Sequence, residues 1–299
     1  MSTLNYFDPQ TLAKLRSLRL RATHLVEGYV AGLHASPLRG FSIEFAEHRQ
    51  YAPGDDLRYV DWKLFARTDK FYLKQFEDET NLIGYLVVDV SESMTFRSDD
   101  QGLSKLEYAQ LLAAHLAWLV VGQNDSVALA TFDRELRSVV RPASGPGHLK
   151  ELVEILDQPA RGEKTSAGPI FHELASRWKR RGIVVVLSDF LDDVKSMLAG
   201  LAHLRHRQHD VLLLHLLDRA EIDFPYEGST LFKGLEAWPE LTADPQLLRD
   251  AYQAEFKKYQ QGLEGGCRSQ GIHYYQCITD QPLDRSIAEM LGHSSARSP

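Results

Sequence analysis

Two stretches, Ile-Val-Val-Val-Leu at 183–187 and Val-Leu-Leu-Leu-His-Leu-Leu at 211–217, are apolar at nearly every position rather than at every second one. A strand reads this way when both sides of its pleat meet a covering layer instead of water, which is the condition of a central strand in a mostly parallel sheet. Such strands need helical crossovers, and the chain supplies them. Leu82 to Val88, Ser126 to Phe132, Ile183 to Leu187, Val211 to Leu217 and Ile272 to Ile278 read as strands. Lys105 to Val121, His148 to Leu156, Pro169 to Arg180, Asp192 to Arg207, Pro245 to Leu263 and Leu283 to Met290 read as helices.

The expected fold class is therefore α/β, a doubly wound and mostly parallel sheet. Glu135 to Val140 follows its predecessor with only Asp133-Arg134 between, so it must return as an antiparallel edge strand. Residues 81–299 form this domain, with an insertion of hairpin character at about 218–243. Residues 1–80 differ. Leucines three or four apart among Arg and Lys predict an amphipathic helix up to Ser36-Pro37, and Phe41 to Phe76 predicts short antiparallel strands and loops around the turn signal Tyr51-Ala-Pro-Gly-Asp-Asp56.

In an open α/β sheet, ligands bind beyond the carboxyl ends of the strands, where the strand order reverses. The first strand of this sheet runs into Asp89-x-Ser91-x-Ser93. One carboxylate and two hydroxyls, without His or Cys, suit a small hard cation, Mg2+ or Mn2+. Asp189 closes the strand at 183–187, and Thr165 lies in a loop just ahead of a helix. Five oxygen-bearing side chains thus converge if the strands are neighbours. Such a set leaves a coordination position open for an external group, and a partner's carboxylate would complete it. The plainer reading of Asp and Ser after a strand is a helix cap or turn.

Other chemistries find less support. A haloacid-dehalogenase-type phosphotransferase needs a second Asp at position 91, which is Ser; there is no Gly-x-Ser-x-Gly elbow and no P-loop. His203, His206 and His209, near Arg205 and Arg207, read as surface residues at a helix end. Cys267 and Cys277 fit no zinc spacing and read as small apolar side chains in a reducing compartment. The net charge of −7 gives nucleic acid no general attraction. The longest apolar run, near Leu111 to Val121, falls short of the roughly 20 residues that cross a bilayer. A cytoplasmic protein without membrane insertion is expected.

The set Asp89, Ser91, Ser93, Thr165 and Asp189 resembles the metal-ion-dependent adhesion site of von Willebrand factor A domains. Upstream, Arg49-x-Tyr51-x-Pro-Gly-Asp55-Asp56-x-Arg58-x-x-Asp61-Trp62, then Ala66-Arg67 and Phe76-x-x-Glu79, resembles the signature of bacterial domain-of-unknown-function family 58, over roughly Leu38 to Val194. The resemblance implies a von Willebrand A-like fold with an N-terminal elaboration, and a MoxR-type AAA+ ATPase as partner acting on a client protein complex. The chain departs from many relatives in lacking an N-terminal pair of membrane helices, and Ser166 stands where adhesion-type domains often have Asp. Apart from the resemblance, Asp55, Arg58, Asp61 and Arg67 are expected to pair beneath Trp62, or else to form a recognition face.

The reading that follows is a metal-dependent protein-interaction module, an adaptor for the ATPase. The alternatives are a magnesium-dependent phosphohydrolase or phosphotransferase using Ser91 or Ser93, with Lys164 the one nearby group in sequence that could assist, and a structural or nucleic-acid-binding protein using Arg39, Arg49, Arg58, Arg67 and Lys74.

Overall fold

The computed structural model describes residues 43–51, 60–78, 82–159, 166–232 and 240–295. Of these, 43–78 belong to one compact unit and 82–295 to another. The helix expected before Ser36, and positions 52–59, lie outside the described residues.

In the smaller unit, β1 (Ile43–Gln50) pairs antiparallel with β2 (Tyr72–Asp78), with a register shift between Phe45 and Glu47. A short helix not expected from the sequence, α1 (Trp62–Thr68), lies between them in the chain. It begins where Asp61 Oδ1 accepts the backbone N–H groups of Lys63 and Leu64, at 2.9 and 3.1 Å, donors that a helix start leaves unpaired. Of the paired network expected beneath Trp62, Asp55 and Arg58 lie outside the described residues. Asp61 caps the helix, and the indole is 59% exposed, meeting Phe65 and Phe71 edge-on.

The larger unit is built on a six-stranded sheet: β3 (Ile83–Asp89), β4 (Ser126–Phe132), β5 (Leu136–Ala143), β6 (Ile183–Ser188), β7 (Asp210–Leu217) and β10 (His273–Ile278). The spatial order is β10-β7-β6-β3-β4-β5, parallel throughout except for the antiparallel edge β5. This is the α/β architecture expected, mostly parallel with one antiparallel edge. Strand order reverses at β3, which has β4 on one side and β6 on the other.

Side-chain alternation along β3 feeds two cores. Leu86 and Val88 face the layer of α2 (Lys105–Val121), α3 (Pro146–Leu156) and α8 (Leu283–Ser295), through Leu112, Leu116, Leu152 and Ile287. Tyr85 and Val87 face α4 (Ala167–Arg177), α5 (Val194–His206) and α7 (Pro245–Ser269), through Phe171, Leu174, Leu201 and Leu263. With both faces covered, β3 is buried at every position, as its composition requires.

Close packing of α4 on α5 depends on two glycines. A Cβ at Gly200 would stand 2.6 Å from the Gly168 carbonyl oxygen, and one at Gly168 would stand 2.8 Å from the Ser196 carbonyl oxygen. One expected boundary is corrected. α7 runs past Leu263 to Ser269, and Gly266 lets it pass close to Leu198. The insertion begins with a helical turn, α6 (Arg219–Asp223), before the hairpin β8 (Thr230–Phe232) and β9 (Leu241–Ala243). His209 also departs from the surface cluster expected of it: it is buried, its Nε2 3.2 Å from the Trp178 carbonyl oxygen and its ring edge-on to Tyr85. Among the described residues, no helix is long and apolar enough to cross a membrane.

Candidate metal centre

Strands β3 and β6 end side by side, Val88 paired with Leu187, so the residues that follow emerge together. Asp89 and Ser188 are thereby neighbours, and Ser188 Oγ donates to Asp89 Oδ2 at 2.6 Å. The same hydroxyl accepts the Phe190 N–H at 2.9 Å. One serine therefore ties the carboxylate on β3 to the backbone that carries Asp189. Phe190 itself is a buried aromatic in the left-handed region, φ 52°, a conformation that costs free energy for a bulky residue. Its carbonyl also accepts the Tyr259 hydroxyl from α7, so the strained turn is held from two sides.

Beyond Asp89 the chain turns tightly. The Ser91 N–H donates to Asp89 Oδ1 at 3.0 Å, and the hydroxyls of Ser91 and Ser93 approach to 3.1 Å. A 3₁₀ turn at Ser93–Thr95 follows, before Ser104 and Glu107 close a reciprocal capping box at the start of α2. The turn-forming reading of Asp89 is therefore correct for Oδ1, and it leaves the cluster reading intact. Asp89, Ser91, Ser93 and Asp189 are all buried and lie at one site. Among the described residues no group of three His, Cys, Asp or Glu side chains is arranged to hold a metal. The donor set here is two carboxylates and two hydroxyls, oxygen only, which fits a hard cation and no soft one.

Burial and the neighbouring Asp189 charge push the Asp89 carboxyl up to about 7, against the hydrogen bonds from Ser188 and Ser91. Asp189 moves the other way: burial raises it, but the ammonium of Lys105 outweighs burial and holds it below the usual carboxylate range. The two acids are thus driven apart, Asp89 by burial and the Asp189 charge, Asp189 by the Lys105 ammonium. His215, beside Ser188 in the β6–β7 register, is lowered to about 4 by burial and is neutral at ordinary pH.

Lys105 is the charged side chain at this site that the motif did not reveal. Its Nζ is 2.8 Å from Asp189 Oδ2 and 2.7 Å from Glu221 Oε1, and the side chain is 1% exposed. One sequence signal could have found it. Lys105 is the first residue of a helix, where the backbone dipole disfavours a cation, so a lysine there needs a local anion to explain it.

Thr165 lies outside the described residues. The positions next to it are anchored: the Ser166 N–H donates to the Asp133 carbonyl, and the Ala167 N–H to Asp192 Oδ2 at 2.7 Å, just past Asp189. Of the upstream signature, Arg49 pairs with Leu73 in the β1–β2 register, the Tyr51 N–H donates to the Phe71 carbonyl, and Arg67 occupies the last turn of α1. Asp55, Asp56 and Arg58 lie outside the described residues, as does Lys164.

The family profile of the proteins of unknown function DUF58 matches residues 47–262. This chain belongs to the DUF58 family. An uncharacterized protein of Mycobacterium tuberculosis is 28% identical over 250 residues, spanning 81% of this chain and 77% of the relative. Among solved structures, the conserved hypothetical protein BatB from Bacteroides thetaiotaomicron is 15% identical with a TM-score of 0.47, covering 72% of this chain and 98% of BatB. The VWA domain of SpRpn10 is 13% identical with a TM-score of 0.41, covering 70% and 95%.

Proposed function

We propose that this DUF58 protein is a metal-dependent protein-interaction module, an adaptor that works with a MoxR-type AAA+ ATPase on a client protein complex. The observation that carries the reading is the meeting of Asp89, Ser91, Ser93 and Asp189 at the tips of two adjacent parallel strands, where the strand order reverses. These four side chains would hold Mg2+ or Mn2+, with Thr165 as a further ligand. Held there, such an ion would supply a positive centre able to bind and neutralise a carboxylate from the partner. Recognition of this kind is strong and depends on geometry. The ATPase partner comes from the family resemblance, and the cation site is the surface proposed to engage the complex.

The test is calorimetric titration of the metal-free protein with Mg2+ and Mn2+, alongside Asp89→Ala, and capture of a MoxR-type ATPase in the presence of Mg2+ or EDTA. Saturable binding in the wild type, lost in the variant, together with capture abolished by EDTA, is the expected result. Capture that is equal with and without the ion overturns the metal-bridged mechanism.

A further inference from the structure

The Lys105 ammonium is paired with Asp189, one of the side chains proposed above to hold the cation. It contacts Oδ2 of Asp189, while Asp189 Oδ1 accepts the Leu191 N–H at 3.3 Å, so both oxygens of this carboxylate already have cationic or N–H partners. Burying an ammonium at the unfavourable end of a helix dipole is costly unless anions balance it. Two do: Asp189 and Glu221, at nearly equal distances. The ring of Phe96 adds a weaker contact, 5.8 Å from Nζ to its centroid.

Glu221 belongs to α6, the opening turn of the insertion, and this turn is latched a second time. Asp218, its N-cap, accepts the Ser98 N–H at 3.0 Å and the Ser98 hydroxyl at 2.5 Å, from the loop that joins the Asp-x-Ser-x-Ser segment to α2. Glu221 also accepts the Asp218 N–H through its other oxygen, at 2.8 Å, so its carboxylate is fixed rather than free to swing away. The insertion and the candidate metal centre therefore share one buried charge.

Resting on the cation-binding reading above, we infer that Lys105 is a tethered counter-ion that sets the affinity of the centre: it occupies Asp189 in competition with the metal, and Glu221 on α6 sets how strongly it does so. A bound divalent ion draws Asp189 away from Lys105 and leaves the ammonium to Glu221. Removing the ammonium strengthens cation binding, whereas neutralising Glu221 leaves the ammonium wholly to Asp189 and weakens it. The opposite signs are the signature, because a lysine that merely held Asp189 in place would weaken cation binding when removed.

The experiment is calorimetric titration of the full chain with Mn2+ in wild type, Lys105→Met and Glu221→Gln, with Tm measured in EDTA for each. Expected are an affinity at least tenfold tighter in Lys105→Met and at least threefold weaker in Glu221→Gln. Unchanged or weaker binding by a folded Lys105→Met overturns the inference while leaving the metal centre standing. If Lys105→Met does not fold, Glu221→Gln decides alone: unchanged or tighter binding overturns it. Absence of saturable binding in the wild type and in both variants instead removes the cation-binding reading itself, and this inference with it.

Discussion

Ser188 shows how much one hydroxyl can organise. It donates to Asp89 and accepts from the N–H of the strained Phe190, so its removal leaves a buried carboxylate oxygen and a buried N–H without that partner. Leaving such groups unpaired costs about 1–3 kcal/mol. Ser188→Ala should lower stability by about 2 kcal/mol in a denaturant titration and should weaken Mn2+ binding as well; a loss below about 0.5 kcal/mol would show that the hydroxyl does not link the two loops. Asp125 offers a cleaner titration because it lies outside this cluster. Burial raises its carboxyl from 3.8 to about 6, only partly offset by the Leu82 N–H that its Oδ1 accepts at 3.1 Å. The folded state therefore holds a proton that the unfolded chain has already released between about pH 4 and pH 6. Stability from this group is greatest below pH 4 and is lost as pH rises through 6. Asp125→Asn keeps the acceptor for Leu82 and removes the buried charge. It should stabilise the protein by about 1–3 kcal/mol at pH 8, with the gain shrinking as pH falls to 5, as read from Tm across that range.

At the scale of elements, the α4–α5 contact and the start of α2 shape the site from opposite faces of the sheet. Gly200→Ala would drive a methyl group against the Gly168 backbone, and backbone cannot yield as a side-chain tip can. The expected cost is about 2–3 kcal/mol in a urea titration, with α4 displaced; a variant as stable as the wild type would mean that the helices separate freely. At the other face, Ser104 Oγ accepts the Glu107 N–H at 3.1 Å while Glu107 returns a carboxylate to the Ser104 N–H at 2.8 Å. This cap fixes the residue immediately before Lys105. Ser104→Ala should cost about 1 kcal/mol and should also alter Mn2+ affinity, because the ammonium is carried on the turn that the cap secures.

For the whole molecule, a ligand that binds only the folded chain raises its stability by mass action. With a dissociation constant of ~1 mM, 10 mM Mg2+ would add about 1.4 kcal/mol, and a rise in Tm of about 3–5 °C would follow for a unit of this size. Differential scanning calorimetry should show the shift in wild type, its reversal by EDTA and its absence in Asp89→Ala; an equal rise in Asp89→Ala would assign the effect to nonspecific ion binding. The same linkage makes the Lys105→Met shift larger at equal Mn2+, provided that affinity rises as inferred.

The runs at 183–187 and 211–217 determined by themselves that the sheet would be mostly parallel and covered on both faces, since only that environment accepts an unbroken apolar strand. Asp133-Arg134 likewise determined an antiparallel edge, because two residues permit no crossover. Asp89 and Asp189 were legible as strand-end acids from their positions alone. The local pattern said less where tertiary contact outweighs propensity: the helix expected to end at Leu263 continues as α7 to Ser269, with Gly266 passing close to Leu198. His209 read as solvated and is buried, since the turn after α5 points it inward against Trp178 and Tyr85. Only the tertiary structure placed Lys105 between Asp189 and Glu221, residues 84 and 116 positions away in the chain. Sequence periodicity reports which face of an element is apolar; it carries no information about which buried charge from a distant element will meet another, and that meeting is decided by the sheet order.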